Sequence, residues 1–97
     1  MYSLEYLPSA SLDILEAEFY LYEYSPNAAH KFTIAIEKQS TLLVNNPLIF
    51  KIYEEKPYFR CMPLPYKYLC FYHVDENAKM ITVHRILRGM RDITNIL

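Results

Sequence analysis

At 97 residues, with 53% hydrophobic and 22% charged side chains and a formal net charge of −1, the chain reads as one soluble globular domain over 1–97, with a single compact core. No run of about 18 apolar residues offers a membrane span, and MYSLEYLPSA lacks the basic start and apolar middle of a signal peptide. No membrane association and a cytoplasmic location are therefore expected. The charge is polarised: residues 1–24 hold Glu5, Asp13, Glu16, Glu18 and Glu23 without a Lys or Arg, whereas Lys79, Arg85, Arg88 and Arg91 are opposed only by Asp92 at the other end. Such asymmetry bears on partners, not on fold.

The first element is a strand in YSLEY, where Tyr2, Leu4 and Tyr6 alternate with Ser3 and Glu5. Pro8 ends it, and Ser9 is expected to cap a helix over about 10–23, because its hydroxyl can accept from a first-turn N–H. Leu12, Leu15, Phe19 and Tyr22 recur at helical spacing and mark the face expected to pack inward, with Asp13, Glu16 and Glu23 on the other side. In SPNAAHKF, Ser25 can cap a second helix with Pro26 at its first position. Ala29, Phe32, Ile36, Gln39 and Leu43 trace its inner face until Pro47 stops it. The short link between the helices predicts an antiparallel hairpin.

Residues 48–57, LIFKIYEEKP, are too apolar for a free loop and read as an ordered connection plugging the rim of the core. Beyond Pro57 the period changes to two. YFRCM forms a strand that starts near Tyr58 and ends at Pro63, a turn through Leu64, Pro65 and Tyr66 follows, and KYLCFYHV (67–74) is rich in aromatic and β-branched residues. DENAK (75–79) is a hairpin loop with Asn77 as the left-handed residue, and MITVHRIL (80–87) is the last strand. The fold class is α+β, in the order β-α-α-β-β-β: an antiparallel sheet covered on one face by a helix hairpin. A two-residue turn at Pro65–Tyr66 would set Cys61 opposite Cys70, yet in a reducing compartment both are expected as free thiols. Without CxxC spacing or an accompanying His pair, they suggest neither a metal site nor a cofactor.

YLCFYHVDENAKMITVHRILRGMRDI resembles the C-terminal half of the RelE/ParE superfamily of bacterial type II toxins, which tends to read YxxFYxVDExxKxVxxxRILxGxRD. ASLDI (10–14) and SPNAAHKF resemble that superfamily's A-x-x-D-L and S-P-x-A-A-x-x-F segments, so the resemblance covers nearly the whole chain. It implies a toxin of a two-component system, held by a cognate antitoxin protein. The family acts in two ways: RelE-like members cleave messenger RNA on the ribosome, whereas ParE-like members bind DNA gyrase and trap its cleaved complex. The first needs a base, an acid and cations around a phosphate. The second needs only a shaped surface. A non-toxic interaction module or an inactive homologue is the alternative from another class.

By this resemblance Arg60, Arg85 and Arg91 are the candidate catalytic cations, and Lys51, Lys56 and Arg88 are candidates for contacts to RNA or another target. The chain departs from RelE-like RNases at Arg88, where His or Tyr is frequent, at Met90 in place of a basic residue, and in having no Tyr or His after Arg85. Gly89, the only glycine, is expected to take positive φ and turn the chain after the last strand. Strict alternation would bury Arg85 beside Ile81 and Val83, so it must sit at the rim, be displaced by a bulge, or pair with a carboxylate inside. His73 and His84 face each other across a hairpin as a surface pair, and Glu54 and Glu55 read as solvated. Ile14, Leu21 and Tyr24 lie outside the main stripe of helix one and leave apolar area for an antitoxin segment to cover.

Overall fold

A computed structural model describes residues 1–89 and 92–97. The alternation of Tyr2, Leu4 and Tyr6 forms β1 (Ser3–Tyr6), and Pro8, whose fixed φ suits a first helical turn, opens α1 (Pro8–Tyr24). Ser9 therefore lies inside the helix and is not its cap, which is Leu7 and supplies no side-chain bond. Ser25 caps α2 (Pro26–Asn45) as expected, its hydroxyl accepting from the Ala28 N–H at 3.4 Å. Strands β2 (Arg60–Leu64), β3 (Tyr68–Asp75) and β4 (Met80–Arg88) follow, and a single turn, α3 (Ile93–Ile96), lies beyond them. No described helix is long and apolar enough to cross a membrane.

The sheet order is β1-β4-β3-β2. The last three strands form the expected antiparallel meander, but β1 runs parallel to β4, so the sheet is mixed rather than wholly antiparallel. The two helices form a crossover that returns the chain to the same sheet, a connection that parallel pairing requires. Pro63 continues β2, where the sequence suggested a stop; β2 is an edge strand and tolerates a residue that cannot donate.

The packing of α1 inverts the expected face. Leu12, Leu15, Phe19 and Tyr22 are 55%, 63%, 71% and 63% exposed, and the residues turned inward are Ala10, Asp13, Ala17 and Leu21. Methyl side chains at Ala10 and Ala17 let the helix backbone approach the sheet closely, a fit that hydrophobicity alone does not reveal. Leu21 thus belongs to the core, Ile14 packs at its edge, and Tyr24 is 86% exposed. On this side Phe32, Leu43, Cys70, Tyr72, Ile81 and Val83 are buried between helices and sheet.

The opposite face of the sheet is also covered, so the single expected core is joined by a second, smaller one. Phe59, Phe71 and Ile93 are buried there, with Tyr53, Cys61, Leu69 and Leu87 against them. The 48–57 connection reaches this face through Tyr53, whereas Leu48, Ile49 and Ile52 remain exposed. Thr94 on α3 donates to Glu55 at 2.6 Å and ties the two segments.

Turn geometry shifts the register. Pro65–Lys67 is a three-residue connection with Tyr66 and Lys67 at φ 63° and 66°, which pairs Met62 with Cys70 and Cys61 with Phe71. The thiols consequently fall on opposite faces of the sheet, and both are free. In the β3–β4 hairpin the left-handed residue is Lys79 (φ 56°), not Asn77, because Asp75 Oδ1 accepts the N–H groups of both Asn77 and Ala78 and fixes that turn.

Candidate functional site

The part of the molecule richest in polar chemistry lies where β1 stops and β4 continues. A strand edge left there would expose unpaired backbone groups. The start of α1 supplies their partners instead: Leu7 N–H donates to Val83 O at 3.0 Å, the Ser9 hydroxyl donates to His84 O at 2.9 Å, and Ile86 N–H donates to Asp13 Oδ2 at 2.9 Å. Asp13 also takes both branches of Arg85, Nε at 2.7 Å and Nη2 at 2.9 Å, in a bidentate ion pair. The Asp13 side chain is 8% exposed and that of Arg85 29%. The hydrogen bond to Asp13 raises the pKa of Arg85 further above its ordinary value.

A register shift makes this pairing possible. Tyr72 is opposite Val83 but Phe71 is opposite Arg85, so His84 is the extra residue of a bulge. Arg85 therefore meets two of the conditions the sequence left open, displacement by a bulge and pairing with a carboxylate. Asp13, which the sequence placed on the outer side of helix one, is the group that reading missed. Its signal was present in A-x-x-D-x-x-x-A, an acid between the two alanines of the inward face.

Arg88 lies a few residues beyond. Its guanidinium is over the Tyr20 ring at 5.1 Å from the centroid and over the Tyr68 ring at 5.8 Å. Burial raises the Tyr68 pKa against the opposing effect of Arg88. Asp13, Glu16, Tyr20, Tyr68, Arg85 and Arg88 line a cavity of about 430 Å³, with Ile96 of α3 also at its wall. Neither tyrosine was anticipated in this role, because each fits the alternation of its own element and their meeting depends on how α1 seats.

The remaining candidates are dispersed. Arg60 Nη1 donates to Phe50 O at 2.7 Å and to Leu48 O at 3.5 Å, which pins the 48–57 connection to β2. Lys51 is exposed and Lys56 half-buried on that same connection. Arg91 lies outside the described residues. Gly89 stands in the turn after β4 but not at positive φ, so that expectation is corrected. Its N–H donates to Lys67 O at 2.8 Å, and a Cβ built there would meet Leu69 Cδ1 at 3.4 Å and Lys67 O at 3.5 Å, ordinary contact distances.

On the opposite face His73 and His84 do come near one another, through Tyr58. Tyr58 stacks on His73 with centroids 3.9 Å apart and meets the His84 ring edge-on at 5.9 Å, and the Tyr58 carbonyl is 3.0 Å from His73 Nδ1. Burial lowers the His84 pKa, and the proximity of His73 lowers it further. Among the described residues no three metal-ligating side chains come together.

Comparison with known proteins agrees with the architecture. A chain of the chromosomal ParDE TA system from P. aeruginosa is 26% identical and superimposes with a TM-score of 0.71, over 91% of this chain and 96% of that one. The fold is shared with YafQ from E. coli (19% identity, TM-score 0.64, 92% and 94% covered) and with a chain of the intact E. coli RelBE toxin-antitoxin complex (17%, 0.63, 94% and 100%). A search of curated proteins finds no match. The family model described as the ParE toxin of type II toxin-antitoxin systems, parDE, matches residues 4–93, and the chain belongs to that family as the toxin of a toxin-antitoxin pair.

Proposed function

We propose that this toxin arrests growth by binding DNA gyrase and holding its cleaved complex, not by cutting messenger RNA. The observation that carries this reading is the engagement of two of the three arginines that RNA cleavage would require. Arg85 is neutralised by Asp13 within the fold, and Arg60 is committed to backbone carbonyls. A guanidinium already paired with a buried carboxylate offsets little of the charge that develops on a phosphorane. His73 and His84 face the other side of the sheet, with Tyr58 stacked on His73. A gyrase poison makes no such demand: it requires a rigid surface, and we assign target contact to Arg88, which lies over two tyrosine rings, and to Arg91, three residues on in sequence. As with the ParDE and RelBE systems, the cognate partner is an antitoxin protein.

Expression of the chain in a bacterium, with growth, DNA breakage and RNA cleavage followed together, tests this reading. Growth arrest with gyrase-linked DNA breaks and intact ribosomal messages is expected, and purified toxin should increase gyrase cleavage complexes in vitro. Arg88→Ala and Arg91→Ala should weaken both effects, and Arg60→Ala should not. Codon-directed cleavage of messages on the ribosome with unbroken DNA would refute the reading, and absence of any growth effect would favour a simple interaction module.

A further inference from the structure

Arg88 is a cation without an anion. Among the described residues the one ion pair is that of Asp13 with Arg85, so Arg88 has no carboxylate partner, although it is half-buried. Its guanidinium rests instead over the rings of Tyr20 and Tyr68. A ring engages the cation through its π face and takes none of its N–H groups, which form a planar fork that matches a carboxylate. Two aromatic contacts also restrict the side chain, so less ordering remains when a partner arrives.

The cavity beside Arg88 defines what that partner carries. Its volume of about 430 Å³ is that of a small-ligand site and admits side chains rather than a whole helix. Ala17, Ile86, Leu87 and Ile96 make part of its wall apolar. Asp13 is engaged by Arg85, which is anchored through Nε and Nη2, so the charge left for an occupant is Arg88 set against the exposed Glu16. The surroundings distinguish one anion from many. Glu16, Glu18 and Glu23 follow one another along α1, and residues 1–24 hold no Lys or Arg. A nucleic-acid backbone laid across the cavity would bring successive phosphates against these carboxylates, a repulsion that a single side chain escapes.

We propose that this cavity receives an acidic side chain of the target protein, an Asp or Glu with an apolar neighbour, whose carboxylate takes the N–H fork of Arg88 while the neighbour lies against Leu87 and Ile96. That the target is gyrase rests on the reading above; the chemistry of the occupant rests on the cavity. Tyr20 is a positioning residue that acts through Arg88, and Glu16 opposes the incoming charge. The site thus selects by charge sign as well as by shape.

The test uses the full chain, purified gyrase and a carbodiimide. Arg88→Lys replaces the fork by an amine; a carboxylate in contact, once activated, acylates that amine, which loses a proton as the carbodiimide departs as its urea with the carboxyl oxygen. Mass spectrometry should find an Asp or Glu of gyrase joined by an amide to position 88. In binding, Arg88→Gln should weaken the complex about 10-fold and Arg88→Lys less, because a point charge keeps the attraction but not the paired hydrogen bonds. Glu16→Gln should tighten it about 2-fold, an effect that fades in high salt. Tyr20→Ala should weaken binding and Tyr20→Phe restore it, since the ring and not the hydroxyl holds the cation. Glu16 is exposed, so Glu16→Gln keeps the test decisive even where a variant of the cavity wall loses its fold. Equal binding of wild type and Arg88→Gln, weaker binding of Glu16→Gln, or coupling of the introduced amine to the antitoxin encoded beside the toxin and not to gyrase would each overturn the proposal while the gyrase reading stands. A wild-type toxin that binds no gyrase would remove the gyrase reading itself, and this assignment with it.

Discussion

Replacing Arg85 with alanine should unfold a measurable fraction of the stability, in contrast to the loss of a surface arginine. The Asp13 side chain is 8% exposed in the intact protein, and the substitution leaves its carboxylate with only the Ile86 N–H as a partner. Removing one member of a buried, hydrogen-bonded ion pair costs about 3–5 kcal/mol, and the 29% exposure of Arg85 reduces the expected loss to about 2–4 kcal/mol. For a chain of this length that corresponds to a fall in Tm of about 10–25 °C. Urea unfolding followed by circular dichroism reads it as a lower midpoint at unchanged slope. Asp13→Asn retains an acceptor for Ile86 and removes the charge, so it should cost less, about 1–2 kcal/mol. The double variant should be more stable than Arg85→Ala alone, because a buried amide without an arginine is less costly than a buried carboxylate without one. If Arg85→Ala melts within about 2 °C of the wild type, or if adding Asp13→Asn destabilises it further, Arg85 is not a structural brace and is free to serve chemistry.

Three further outcomes follow from the geometry. Gly89→Ala should fold with a stability change below about 1 kcal/mol, because φ is not positive there and the added methyl meets Leu69 at 3.4 Å; loss of folding would show that glycine is required after all. Stability should depend on His84: its folded pKa is depressed, so its contribution is complete above the unfolded value of about 6.5 and is lost as pH falls through the folded value, and thermal melts of His84→Gln should show a flatter pH profile over that window. Native protein should react slowly with thiol reagents at Cys61, whose pKa burial pushes up to about 11, and not at Cys70 without unfolding, while mild oxidation should form no internal disulfide; a native mass two hydrogens lighter would contradict the register.

Periodicity was enough to read the element order and the meander, because alternation of two and recurrence near 3.6 are local properties. What it could not supply was the choice between two apolar faces on one helix. In α1 the larger side chains, Leu12, Leu15, Phe19 and Tyr22, outweigh Ala10 and Ala17 on any hydrophobicity scale, yet close approach to the sheet selects the small ones. Asp13 was hidden by the same inversion. The direction of β1 was illegible for another reason, since a four-residue strand carries no signal of which neighbour it will join. The register of Cys61 depended on Tyr66 and Lys67 both adopting left-handed φ, which their side chains do not advertise. For the candidate site, Arg60, Arg85 and Arg88 were visible as cations, but what each one touches emerged only from the bulge at His84 and the seating of α1.

The parallel pairing of β1 with β4 also sets a schedule. Ser3 aligns with Met80 and Tyr6 with Val83, and the Thr82–Glu5 contact spans 77 positions. During synthesis β1 is made early and has no strand to join until β4 leaves the ribosome, so neither the sheet edge nor the Asp13–Arg85 brace can close on a partial chain. The newly made protein therefore passes through an interval in which α1 and α2 exist without the strand that orders their inner face.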